Sequence, residues 1–111
     1  MISVKSGVGT PYDAPQHHGV FGYLKLTKEQ TKRTIVNYSY FHPNGGTEMT
    51  AAPVERVYYV VTGSITLKGK DNSEVHVLNA GDMVYIAPGE MREMSVNNGQ
   101  AAEVLVFIVQ V

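Results

Sequence analysis

Short apolar stretches with a period of two recur along the chain, separated by clusters of Gly, Pro, Asn and Asp. The spacing of ~8–12 residues is that of successive strands. Residues 33–42 are rich in β-branched and aromatic side chains. As a strand they place Ile35, Asn37, Ser39 and Phe41 on one face and Val36, Tyr38, Tyr40 and His42 on the other. Residues 20–26, 65–68, 74–78, 83–87 and 91–97 also read as strands. Residues 48–61 form one extended region interrupted at Pro53, and residues 103–111 are nearly continuously apolar. Turns are expected at Pro43-Asn-Gly-Gly46, at residues 79–82, at Pro88-Gly89 and at Asn98-Gly99. Residues 1–6 alternate Ile2 and Val4 with polar residues, as a short edge strand would. Residues 27–32 form a polar connection with weak helical character. The fold class expected is all-β, a jelly-roll-like β-barrel of roughly eight or nine strands. Residues 1–19, rich in Gly and Pro, read as an N-terminal arm, and residues 20–111 as the barrel.

Composition narrows this picture without changing it. A chain of 111 residues is one domain with a real core, and 43% hydrophobic residues is ordinary for a globular protein. A formal net charge of −1 gives no electrostatic case for nucleic acid or an anionic membrane as partner. Cysteine is absent, which removes disulfides, thiolate zinc sites and cysteine nucleophiles together. No apolar run approaches the ~20 residues of a membrane span. The start, Met1-Ile-Ser-Val-Lys5, lacks the apolar segment of a signal peptide, so the expected location is cytoplasmic.

Two stretches carry a family resemblance. Gly81-Asp82, a strand, then Pro88-Gly89 and a second strand resemble the second motif of the cupin family. Gly45-Gly46 and Val57-Tyr-Tyr-Val-Val-Thr-Gly63 resemble the opening and the end of its first motif. The resemblance covers most of residues 33–111 and implies a small cupin-type barrel. In the family these motifs carry His and Glu metal ligands. Counted onto this chain, the ligand positions fall on Arg56, on Arg92 and on two residues within Met49-Thr-Ala-Ala-Pro53, none of them a His or Glu. Guanidinium stays protonated and has no lone pair for a cation. The expectation is therefore no metal and no other cofactor.

The same two arginines suggest other chemistry. In the cupin register both point into the barrel mouth, and an inward charge needs a partner. One reading is an internal salt bridge with Glu48, Glu55 or Glu93. The other is a clamp for a carboxylate or phosphate, which guanidinium grips bidentately. Glu48 shares strand parity with Arg56 and is a candidate general base. His17 or His18 could fold over the mouth from the arm, and His17 is the histidine taken as a candidate catalytic group. Tyr38, Tyr40 and Tyr58 are candidates for lining the pocket with hydroxyls. Met49, Met83, Met91 and Met94 read as gap-filling core. His42 and His76 complete the histidines.

The function expected is binding of a small organic anion, a carboxylate, in the barrel mouth of a metal-independent cupin. The enzymatic form would be isomerase, lyase or cyclase chemistry. One alternative is a non-catalytic ligand-binding or sensor module; another is a metal enzyme with ligands rebuilt from the histidines. A homodimer is expected, because the last strand is apolar on both faces and two-fold pairs are the commonest oligomers.

Overall fold

The computed structural model describes residues Met1 to Val111. It contains nine strands: β1 (Thr10–Tyr12), β2 (His17–Leu26), β3 (Thr34–Thr50), β4 (Glu55–Thr62), β5 (Ser64–Lys68), β6 (Val75–Asn79), β7 (Met83–Ile86), β8 (Arg92–Val96) and β9 (Ala102–Val109). The one helical element is a single 3₁₀ turn, Lys70–Asn72, in the β5–β6 loop. No helix is long and apolar enough to cross a membrane. Every strand pair is antiparallel, in the order β6-β5-β8-β3-β9-β4-β7, with β2 also on β3 and β1 on β2. The sheet curls into a nearly closed all-β barrel, as the sequence pattern implied.

β3 organises the barrel because it belongs to both of its walls. Residues Thr34 to Phe41 pair with β9, and residues Gly46 to Thr50 pair with β8. The change of partner falls on Pro43-Asn-Gly-Gly46. The expected turn there is instead a bend within one 17-residue strand. Glycine is needed at that corner: a Cβ on Gly46 would collide with the Met94 carbonyl, and one on Gly45 with the Gly19 carbonyl. Residues 1–6 form no strand, correcting the expected edge strand; the short strand of the arm is β1 instead. It is held by pairing with the middle of β2, Thr10 opposite Leu24 and Tyr12 opposite Gly22.

Alternation sorts each strand into an inner and an outer face. On β4, Arg56, Tyr58 and Val60 are buried; on β9, Ala102, Val104 and Val106 are; on β8, Arg92 and Met94 are. Val60, Ile65 and Val104 have no exposed surface, and with Ala102, Leu67 and Leu78 they fill one end of the barrel. The other end, lined by Arg56, Val106 and Ile108, is not filled by the core.

Candidate active site

That open end holds a cavity of about 230 Å³, roofed by the arm at Ala14, Pro15, Gln16 and His17. The roof is fastened by backbone and side chain together. Glu48 N–H donates to the Gln16 carbonyl at 3.0 Å, and the Thr50 hydroxyl donates to Gln16 Oε1 at 3.1 Å. Inside, the wall pieces come from strand parity: Arg56 and Tyr58 from β4, Arg92 and Met94 from β8, Asn37 and Ser39 from β3.

Arg56 and Arg92 are 5% and 6% exposed, and neither has an acidic partner. The one ion pair of the protein, Glu74 with His76 at 2.9 Å, lies on the surface. The arginines are held by neutral oxygens. Arg92 Nε donates to the Tyr58 hydroxyl at 3.2 Å, and Arg92 Nη1 to Thr47 Oγ1 at 3.2 Å and to the Glu48 carbonyl at 3.4 Å. Arg56 Nη1 reaches the same Tyr58 oxygen at 3.4 Å, and Nη2 the Glu90 carbonyl at 3.4 Å. Arg56 Nε is buried with no partner. Two guanidinium groups thus converge on one phenol oxygen, with no carboxylate of the protein at ion-pair distance.

The salt-bridge reading is overturned by these positions. The Glu48 side chain is exposed, and only its backbone meets Arg92. A register shift between Thr47 and Thr50 resets the alternation, so Thr47 faces inward and Glu48 outward. Glu48 is therefore not at the cavity as a general base. Glu55 faces outward and accepts a hydrogen bond from the Tyr85 hydroxyl at 2.7 Å. Tyr38 and Tyr40 also leave the site: they lie on the outer face of β3, Tyr40 packed against Phe21 and Tyr23, and Tyr38 against Tyr40. Their strand neighbours Asn37 and Ser39 face inward instead.

His17 does reach the cavity wall. Its Nδ1 lies 2.7 Å from the Pro15 carbonyl. A carbonyl can only accept, so the proton of the neutral ring sits on Nδ1 and Nε2 carries the free lone pair. Burial is the main cause holding the His17 pKa below its ordinary value, with Arg92, His18 and Arg56 adding repulsion against the hydrogen bond to Pro15. The ring is thus held neutral with its Nε2 lone pair free, as a base weakened by burial and by the two arginines.

Asn37, Ser39 and Thr47 are the site residues the sequence reasoning passed over. The signal was present in Asn37 and Ser39: two polar residues on the same face as Ile35 and Phe41, where an apolar pair would suit a simple core.

The cupin ligand positions converge as the resemblance implied. Thr50, Ala51, Ala52, Arg56 and Arg92 all line the one cavity. The donors do not suit a metal ion. One imidazole and no carboxylate line the cavity, and two cations occupy it. No group of three or more His, Cys, Asp or Glu side chains elsewhere could hold a metal either. His18, His42 and His76 are exposed and separate, so a rebuilt histidine site does not form.

A family model described as the cupin domain matches residues 37–109. No curated protein sequence matches the chain significantly. Among solved structures, the polyketide cyclase RemF from Streptomyces resistomycificus superposes with a TM-score of 0.84 at 20% identity, covering 98% of this chain and 79% of that one. A predicted oxalate decarboxylase from Thermotoga maritima gives 0.83 at 18% identity, over 99% of this chain and 100% of that one. KdgF from Halomonas sp. gives 0.72 at 14% identity, over 84% and 82%. Identities this low speak for the fold alone. The family match spans well over half of the residues and both motifs that line the cavity, and the chain belongs to the cupin family.

Proposed function

We propose that this cupin binds a small organic carboxylate in its barrel cavity on Arg56 and Arg92, without a metal ion, and moves a proton at the bound ligand through His17. The observation that carries the reading is the pair of buried guanidinium groups with no acidic partner. An unpaired buried charge costs several kcal/mol, and two that converge repel as well. A bound carboxylate relieves both terms and meets guanidinium with matched, bidentate geometry.

The arginines would do more than bind. They hold positive charge where negative charge develops when a proton leaves the carbon next to the carboxylate. The C–H bond gives its electron pair to that carbon and its proton to His17 Nε2. Return of the proton to another atom is isomerisation; loss of a leaving group is lyase chemistry; attack of the carbanion within the ligand is cyclisation. Two structural neighbours are described as a polyketide cyclase and a predicted oxalate decarboxylase. Proteins of this fold are thus described as a cyclase and as a predicted decarboxylase, while the proton transfer and the residues named for it here are this chain's own.

The test is a thermal-shift screen of small organic acids, followed by solvent deuterium wash-in for any acid that binds. Stabilisation by an acid, with wash-in lost in His17→Asn, supports the whole reading. Binding without wash-in leaves the alternative, a ligand-binding or sensor module. If no acid stabilises the protein, the anion site is refuted.

A further inference from the structure

Two buried side-chain atoms in the protein have no hydrogen-bond partner: Arg56 Nε and Asn37 Oδ1. Both residues line the same cavity and both are 5% exposed. One atom can only donate and the other only accept, yet they do not meet. β9 lies between their strands: Ile108 is paired with Arg56, and Val106 with Asn37. Two strand spacings put the backbones about 10 Å apart. The wall between them is the apolar pair Val106 and Ile108.

The Asn37 amide is fixed rather than free. Its Nδ2 donates to Ser39 Oγ at 3.4 Å, which leaves Oδ1 as the spare group. Gly22 on β2, paired with Ser39, makes room for it: a Cβ there would lie 2.7 Å from Asn37 Oδ1. A side chain at position 22 would displace the amide. Glycine weakens a strand interior, so its use here is consistent with a site that needs the amide in place.

Resting on the carboxylate site proposed above, we infer that the ligand is a hydroxy acid, its carboxylate on Arg56 and Arg92 and its hydroxyl, at the other end of a short apolar body, donating to Asn37 Oδ1. An ammonium in place of the hydroxyl is disfavoured, because no carboxylate lines the cavity and two arginines do. The cavity of about 230 Å³ has the volume of about seven or eight waters, which suits a short linear acid. A site that must satisfy a buried acceptor discriminates against the analogue that lacks the donor.

Titration calorimetry with matched pairs tests this on the intact chain: butyrate and pentanoate, each against its terminal hydroxy and terminal amino analogue. The hydroxy acid of the fitting length should bind about tenfold or more tighter than the plain acid. Asn37→Leu should remove that difference while keeping plain-acid affinity, and Arg56→Ala should weaken both acids together. If Asn37→Leu does not fold, Asn37→Ala, which likewise removes the acceptor, serves the same comparison. Equal binding of plain and hydroxy acids to wild type overturns the inference and leaves the carboxylate site standing. Tighter binding of the amino analogue overturns the hydroxyl assignment. No binding of any acid overturns both the inference and the site it rests on.

Discussion

Arg92 and Tyr58 meet through a hydrogen bond from Nε to the phenol oxygen, 3.2 Å long, and the Arg92 guanidinium carbon lies 6.0 Å from the centre of the same ring. Arg56 reaches that oxygen as well. Tyr58 therefore acts as a neutral strut between two cations drawn from opposite walls of the barrel. Its oxygen accepts from both, so its own proton is left for something else in the cavity. A strut of this kind holds the guanidinium groups in position without neutralising them, and their charge remains available to a ligand.

The first expected outcome separates a clamp from a structural arginine. Arg92→Met removes a buried charge that has no acidic partner, so no carboxylate is left bare. Replacing buried charge by apolar volume is often neutral, or stabilising by about 1–4 kcal/mol. The free protein should keep or raise its Tm. An acid at 100 times its Kd stabilises wild type by about 2.7 kcal/mol, and most of that should vanish in Arg92→Met. Arg92→Lys keeps the charge, loses the bidentate fork and should recover part of the shift. Unfolding of acid-free Arg92→Met near ambient temperature would show that the arginine is structural.

The second concerns assembly. The outer faces of β2, β3, β9, β4 and β7 run in register as Tyr23, Tyr38, Leu105, Tyr59 and Met83. Phe21 and Tyr40 stack beside that row with ring centres 5.1 Å apart, and Met83, Tyr85 and Phe21 are exposed. A continuous apolar sheet face of this kind calls for a cover. A second copy of the chain, related by a two-fold axis, would supply a matching face. Light scattering at micromolar concentration should give the dimer mass, and Phe21→Glu should give the monomer. A monomer mass for wild type refutes the assembly.

Much of this was legible in the sequence, and the misses have local causes. Parity along residues 33–42 separates the two faces of the strand but does not say which is inner: Tyr38 and Tyr40, expected to line the pocket, face outward, and Asn37 and Ser39 line the cavity. The family register put both Arg56 and Arg92 inside, where they are buried. Parity failed at Glu48, where a register shift between Thr47 and Thr50 turns the strand over. A bulge has no composition signal that separates it from regular strand. Pro43-Asn-Gly-Gly46 carries turn chemistry, yet the chain uses its glycines for close approach to Met94 and Gly19 rather than for reversal. The partners of the arginines were out of reach of sequence reasoning, since Tyr58, Thr47 and Glu90 are brought to them by three-dimensional closure.

The third follows from the outer face of β3. The Tyr38 hydroxyl donates to Glu103 Oε2 at 3.1 Å, and Thr62 donates to the same oxygen at 3.2 Å. Burial, then the bond and charge of Glu103, push the Tyr38 pKa up from 10.0 to about 12. The raised value means that the folded state keeps its proton where the unfolded chain has lost it. This contribution to stability is fully present below pH 10.0 and is lost as pH rises towards about 12. Tyr38→Phe should flatten that alkaline decline, and in ultraviolet titration the variant should lose one late-ionising tyrosine while Tyr85, raised by its hydrogen bond to Glu55, remains. A late phase undiminished in amplitude in Tyr38→Phe would show that Tyr38 does not contribute to it.

The last expected outcome joins His17 to the anion site. The folded-state pKa of His17 lies below its ordinary value of 6.5, with burial as the largest cause and Arg92, His18 and Arg56 contributing. In the window between the folded value and 6.5 the unfolded chain therefore binds more protons. Stability falls as pH drops through that window and does not change further below it on account of this group. His17→Asn should remove this part of the acid-side loss. A bound carboxylate reverses the local field: it offsets Arg56 and Arg92 and favours the imidazolium, so it raises the His17 pKa. Acid binding at about pH 6 should then take up a fraction of a proton, and at about pH 8 close to none. Calorimetry in two buffers of different ionisation enthalpy reads that number directly. The uptake should disappear in His17→Asn while acid binding persists, because the arginines remain. The same protonation removes the Nε2 lone pair, so deuterium wash-in should decline on the acid side even as binding strengthens. Uptake that survives in His17→Asn would mean that another group senses the anion, and His17 would then have no place beside the ligand.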